Sequence, residues 1–137
     1  WSAGMVNEVV VRRQLTDEML VAGETLLAAL DAAKVPLQGA FWLYMPEPET
    51  WRLVLVSNQV NKYGPLKVYG AVHDVLLSLS QGKRLGLSDI TVMDKDDRLA
   101  ASLRKESKKR LIGPGTRLTS TTINGQYIED AYIYRLT

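Results

Sequence analysis

Asn124-Gly125, set between "TRLTSTTI" and "QYIEDAYIYRLT", constrains this chain more than any other pair of residues. A type I′ turn demands positive φ at both central positions, which Asn and Gly tolerate, and β-prone runs flank the pair on both sides. The spacing predicts a hairpin with a two-residue turn. Counting back from Ile123 opposite Gln126 sets Ser120 opposite Glu129, Thr119 opposite Asp130 and Arg117 opposite Tyr132. Asp130 then shares a face with Ile128, Tyr132, Tyr134 and Leu136, so a carboxylate stands among bulky apolar groups and needs a partner. Arg117, diagonal to it, is the expected partner, with Thr119 as a hydrogen-bond neighbour.

A second hairpin is expected from "AFWLYM" (40–45) and "WRLVLVS" (51–57), joined by "PEPET" as a loop of about five residues. Both parities are apolar: Phe41, Leu43 and Met45 on one side, Trp42 and Tyr44 on the other. Such strands lie in a sheet covered on much of both faces. "SDITVMD" (88–94) reads as a further short strand.

Between the strands, three helices are expected. Thr16 caps the first, Asp17 and Glu18 favour its dipole, and Met19, Ala22, Gly23, Leu26, Leu30 and Ala33 form its inward face. Val35-Pro36 should end it. After "SNQVNKYG", read as a loop, Pro65 opens a second helix with an apolar stripe of Leu66, Tyr69, Val72, Leu76 and Leu79. Asp94 and Asp97 offer caps for a third, which carries Leu99, Ala100 and Leu103 inward before "GPG" (113–115) turns the chain. "EVVVRRQ" is β-prone but equally fits a leading helical turn. The result is an α+β sandwich of about five mostly antiparallel strands and about three helices, in the order αββαβαββ.

A chain of 137 residues fits one domain, expected over 5–137, with residues 1–4 read as a tag remnant ahead of Met5. Its hydrophobic fraction of 46% and charged fraction of 23% are those of a folded globular protein. Cysteine is absent, which excludes disulfides, thiolate metal sites and a cysteine nucleophile, and His73 is the single histidine. No apolar run approaches the roughly 20 residues that span a bilayer. A cytoplasmic protein without cofactor or membrane partner is the expectation.

"FWLYMPEPETWRLVLVS", "YGPLKVYGAVHDVL" and "INGQYIEDAYIYRL" together resemble small conserved bacterial proteins with no assigned activity. The resemblance implies a bacterial origin and carries over no catalytic or binding residue.

Function must be sought in the residues. "LRKESKKRLIGPGTR" (103–117) holds Arg104, Lys105, Lys108, Lys109, Arg110 and Arg117 against the single acid Glu106. Two readings stand side by side. The cluster is either a phosphate-contacting nucleic-acid patch, extended by Lys83 and Arg84, or a solvated helix end favoured by the dipole. No fixed-spacing nucleic-acid motif accompanies it, and Tyr127 faces away from Tyr132 and Tyr134, which splits any stacking platform. An enzyme alternative, a metal-dependent nuclease or phosphoryl transferase, would need Asp94 and Asp130 to converge on a cation. His73 has no positioned nucleophile beside it and reads as a partly buried structural residue. "SQGKRLG" lacks the P-loop spacing. A third reading is homodimerisation through the C-terminal hairpin, whose "STTINGQYIEDAYIY" lacks proline and carries only Glu129 and Asp130 as charges. Protein partner, nucleic acid and second copy all remain open at this point.

Overall fold

The computed structural model describes residues 14–80, 85–109 and 112–137. At its centre is a five-stranded mixed sheet of order β3-β2-β1-β5-β4. The strands are β1 (Gly39–Met45), β2 (Thr50–Val56), β3 (Ile90–Met93), β4 (Arg117–Ile123) and β5 (Gln126–Leu136). Three neighbouring pairs are antiparallel and the pair β2–β3 is parallel. Three longer helices, α1 (Asp17–Ala32), α3 (Pro65–Leu77) and α4 (Arg98–Lys108), pack on the sheet, and a short α2 (Gln59–Tyr63) occupies the stretch read as a loop. The expected α+β architecture holds.

Both faces of the sheet are covered, as the doubly apolar strands required. Trp42, Tyr44, Trp51, Leu53 and Leu55 face α1 and α3 through Leu26, Leu30, Val68, Val72 and Leu76. On the other face Phe41, Leu43, Val54 and Val56 meet Ala100 and Leu103 of α4. The loop of the first hairpin is one residue shorter than expected, because Thr50 already pairs with Met45.

The helix ends follow local chemistry. Thr16 Oγ1 accepts the Met19 N–H at 3.1 Å. The helix stops at Ala32, before Val35-Pro36, because Lys34 takes φ 61. Val35 N–H then donates to the Leu30 carbonyl and Lys34 N–H to the Asp31 carbonyl, both at 3.0 Å, a Schellman closure with lysine at the glycine position. Pro65 opens α3 as expected, behind Gly64 at φ 88 and ψ 157, a region open essentially to glycine alone. The inward face of α3 is Val68, Val72 and Leu76. Leu66, expected inward, is turned out, since it lies about 200° around the helix from Val68. Asp97 Oδ1 caps α4 by accepting the Leu99 N–H at 3.0 Å.

The terminal hairpin has the expected register from Arg117 opposite Tyr132 to Ile123 opposite Gln126, with Asn124 and Gly125 at φ 49 and 80. Two irregularities alter the faces. The β4–β5 ladder skips Ser120, which has φ 43. On the other side of β5, Ala40 pairs with Arg135 and Phe41 with Ile133, leaving Tyr134 as an extra, bulged residue. Each break shifts the alternation. Ile128 and Leu136 therefore pack with the α4 side while Tyr132 and Tyr134 pack with the α1 side, correcting the single face expected for all four.

The bulge also serves α1. Tyr134 and Arg135 both reach that helix: Tyr134 Oη donates to the Leu20 carbonyl at 2.6 Å and accepts from Trp42 Nε1 at 3.0 Å. Arg135 forms two hydrogen bonds with Asp31, at 3.0 and 2.6 Å.

Candidate functional site

The basic stretch is taken apart by the fold. Arg104 turns inward, donating from Nε to the Thr137 carbonyl at 2.5 Å and from Nη1 to the Lys95 carbonyl at 3.1 Å, and so fastens α4 to one end of the sheet. Arg117 lies on the opposite face. Its guanidinium donates to Asp130 at 2.6 and 2.8 Å and stacks 5.5 Å from the centre of the Trp51 ring. The hydrogen bonds to Asp130 push the Arg117 pKa up, and the attraction of that carboxylate adds to the effect against the cost of burial. Both carboxylate oxygens accept from Arg117, and Thr119 stands opposite Asp130 in the ladder without bonding it.

Lys105, Lys108 and Lys109 remain exposed on the outer side of α4. Lys109 approaches Glu106 at 3.7 Å, and that carboxylate is mostly covered. Arg110, Lys83, Arg84 and the "EVVVRRQ" residues before Gln14 lie outside the described residues, as do residues 1–4. Of the six cations in the phosphate-patch reading, three lysines share one face at the end of α4, Arg104 and Arg117 are bonded elsewhere, and Arg110 lies outside the described residues.

The two aspartates of the enzyme reading do not meet. Asp94 follows β3 at one edge, while Asp130 is on β5, with β2 and β1 between them. That is about 14 Å across the sheet by strand spacing alone. They also differ lengthwise, Asp94 following the pair Met93–Val56 and Asp130 preceding Ala131, which pairs with Leu43. Asp94 folds back locally, its Oδ2 accepting the Asp96 N–H at 3.2 Å. Among the described residues no three acidic or histidine side chains are grouped to hold a metal ion. His73, expected to be partly buried, is exposed on α3.

Among the described residues, two concave surfaces stand near the sheet and α1. A cleft of about 450 Å³ opens over the first face beside Thr16, Met19, Trp42, Trp51 and Asp89. A groove of about 630 Å³ runs between α1 and the segment after α3, lined by Val21, Ala22 and Leu79 together with the acids Asp17 and Glu18. Neither was visible in the sequence, because each is made by elements distant along the chain.

Tyr63 was missed for a different reason. Read as part of a loop, it ends α2 with its ring half exposed, and the Lys62 and Lys67 ammonium groups lie 5.1 and 4.5 Å from the ring centre. The interleaving of aromatic and lysine in "NKYGPLK" was the available signal.

Among the described residues no helix is long and apolar enough to cross a membrane. Comparison with family models, curated proteins and solved structures finds no match.

Proposed function

We propose that this protein acts by binding, without a cofactor, and that Lys105, Lys108 and Lys109 on the outer side of α4 contact the phosphates of a nucleic acid. The observation that carries this reading is the sorting of charge within one helix. Arg104 is drawn inward to backbone carbonyls, while the three lysines point to solvent at positions three and four residues apart. Residues so spaced are neighbours on a helix surface, and like charges there cost a few tenths of a kcal/mol, roughly, for each pair. A phosphate strand offers the opposite charge at close intervals and turns that cost into a gain.

Three phosphate contacts make a modest, salt-sensitive binder, with a log-log salt slope of about −2 to −3. The test is binding of mixed-sequence RNA and DNA across a salt series, with Lys105→Glu/Lys108→Glu/Lys109→Glu as the comparison. Salt-dependent binding that disappears in the triple variant is expected. Equal, weak binding by both proteins would make these lysines a solvated helix end and sink the reading.

A further inference from the structure

Helix α3 carries an apolar strip that its own core does not use. At 100° per residue, Leu66, His73 and Leu77 fall within about 40° of one another, with Gly70 beside them, on the side away from Val68, Val72 and Leu76. Leu66 is 85% exposed and Leu77 58%. A Cβ added at Gly70 would meet nothing within 4 Å, so the middle of the strip is open. Single exposed leucines need no explanation, but two on one line, three turns apart with a bare glycine between, make a contact surface. Lys67 and Asp74 lie together on one flank of this strip, two turns apart.

We propose that α3 is the contact of a homodimer, packed antiparallel against α3 of a second copy about a two-fold axis. In that arrangement Leu66 meets the partner's Leu77, and Gly70 receives the partner's His73, small against large. A two-fold axis perpendicular to the helices keeps each flank on its own side, so Lys67 comes alongside the partner's Asp74, twice by symmetry. A parallel pairing would set Gly70 against the partner's Gly70 and put the charges on opposite flanks. The ends of the helix agree with the antiparallel choice. The start of α3 offers Leu66 beside the half-exposed Tyr63, with Lys62 and Lys67 around the ring. Beyond the end of α3 lies the groove of about 630 Å³, lined by Val21, Ala22 and Leu79 and by the acids Asp17 and Glu18. Antiparallel pairing carries the basic, aromatic end of each copy toward the acidic groove of the other. The leucines and Tyr63 supply affinity, and the charges set the register. One helix and one groove bury a contact at the small end of the interface range, below about 1,200 Å², so the dimer is reversible.

This surface is separate from the lysines of α4, and its test reads mass rather than nucleic acid. Sedimentation equilibrium from micromolar to millimolar protein is expected to show a dimer that dissociates on dilution. Leu66→Glu and Leu77→Glu should each give a monomer throughout, with unchanged far-UV circular dichroism because both positions are exposed. Lys67→Glu alone or Asp74→Lys alone should weaken the dimer by roughly two- to thirtyfold, the range for two exposed charge pairs, and the double variant should recover it. A wild-type protein that stays monomeric at millimolar concentration overturns the proposal. So does a dimer that survives both leucine replacements, and its loss on Thr121→Pro would place the contact at the β4 edge instead.

Discussion

Arg117 shows how a cation in a basic-rich stretch can belong to the architecture. Its side chain is 45% exposed while that of Asp130 is only 8% exposed, so the pair is lopsided. Removing the arginine strands a covered carboxylate, whereas neutralising the aspartate leaves a cation that reaches water. Arg117→Met is therefore expected to cost about 2 kcal/mol, discounted from the fully buried case because the guanidinium is half in solvent, and Asp130→Asn about half as much. The double variant should cost less than the sum. Urea unfolding of the three proteins measures this, and equal losses for the two single variants would contradict it. This partnership was legible in the sequence, because Asn124-Gly125 sets the register and the register sets the diagonal. Thr119, expected as a hydrogen-bond neighbour, stands opposite Asp130 in the ladder, but both hydrogen bonds to that carboxylate come from Arg117.

At the level of elements, the joint between α1 and β5 bears most on stability. Burial, offset in part by the hydrogen bond from Trp42, pushes the Tyr134 pKa up to about 12 from an ordinary value of 10. A phenol with a raised folded pKa stabilises fully below its unfolded pKa, and that contribution is lost as pH rises through the folded one. Stability is thus expected to fall between about pH 10 and pH 12, and Tyr134→Phe, destabilised by about 1–3 kcal/mol at neutral pH, should lack that component of the alkaline loss. A pH series of urea midpoints for the two proteins checks both statements. The same joint fixes Gly23, where a Cβ would lie 2.8 Å from Tyr134 Cζ. The capping of α1 by Thr16 and its inward leucines were readable from local spacing. The Tyr134 bulge was not, because it exists only where β1 pairs with β5 from the far end of the chain. The exposure of Leu66 escaped for a related reason: the inward face of α3 is chosen by the sheet beneath it, which takes Val68, Val72 and Leu76.

For the whole molecule, the central fact is one sheet shared by two cores. Phe41 and Trp42 are adjacent in β1, yet one packs toward α4 and the other toward α1 and α3. Neither core can be lost while the other keeps its floor, so unfolding is expected to be a single cooperative transition. With Trp1 replaced by phenylalanine, fluorescence reports Trp42 and Trp51 in the first core alone, and far-UV circular dichroism reports all elements. Coincident urea transitions are expected, and an earlier change in either signal would separate the two sides. The layered α+β arrangement was visible from doubly apolar strands and intervening helices; which strand stood at the margin was not, since β4 is outermost and β5 interior. That margin has neither proline nor lysine to repel a visitor. It has Ser120, whose φ of 43 turns the backbone midway. A strand arriving from another molecule is expected to meet two short stretches, Arg117 to Thr119 before the kink and Thr121 to Ile123 after it, in place of one even edge. Stacking of copy upon copy into fibres needs an even template, and the turn at Ser120 is expected to work against it.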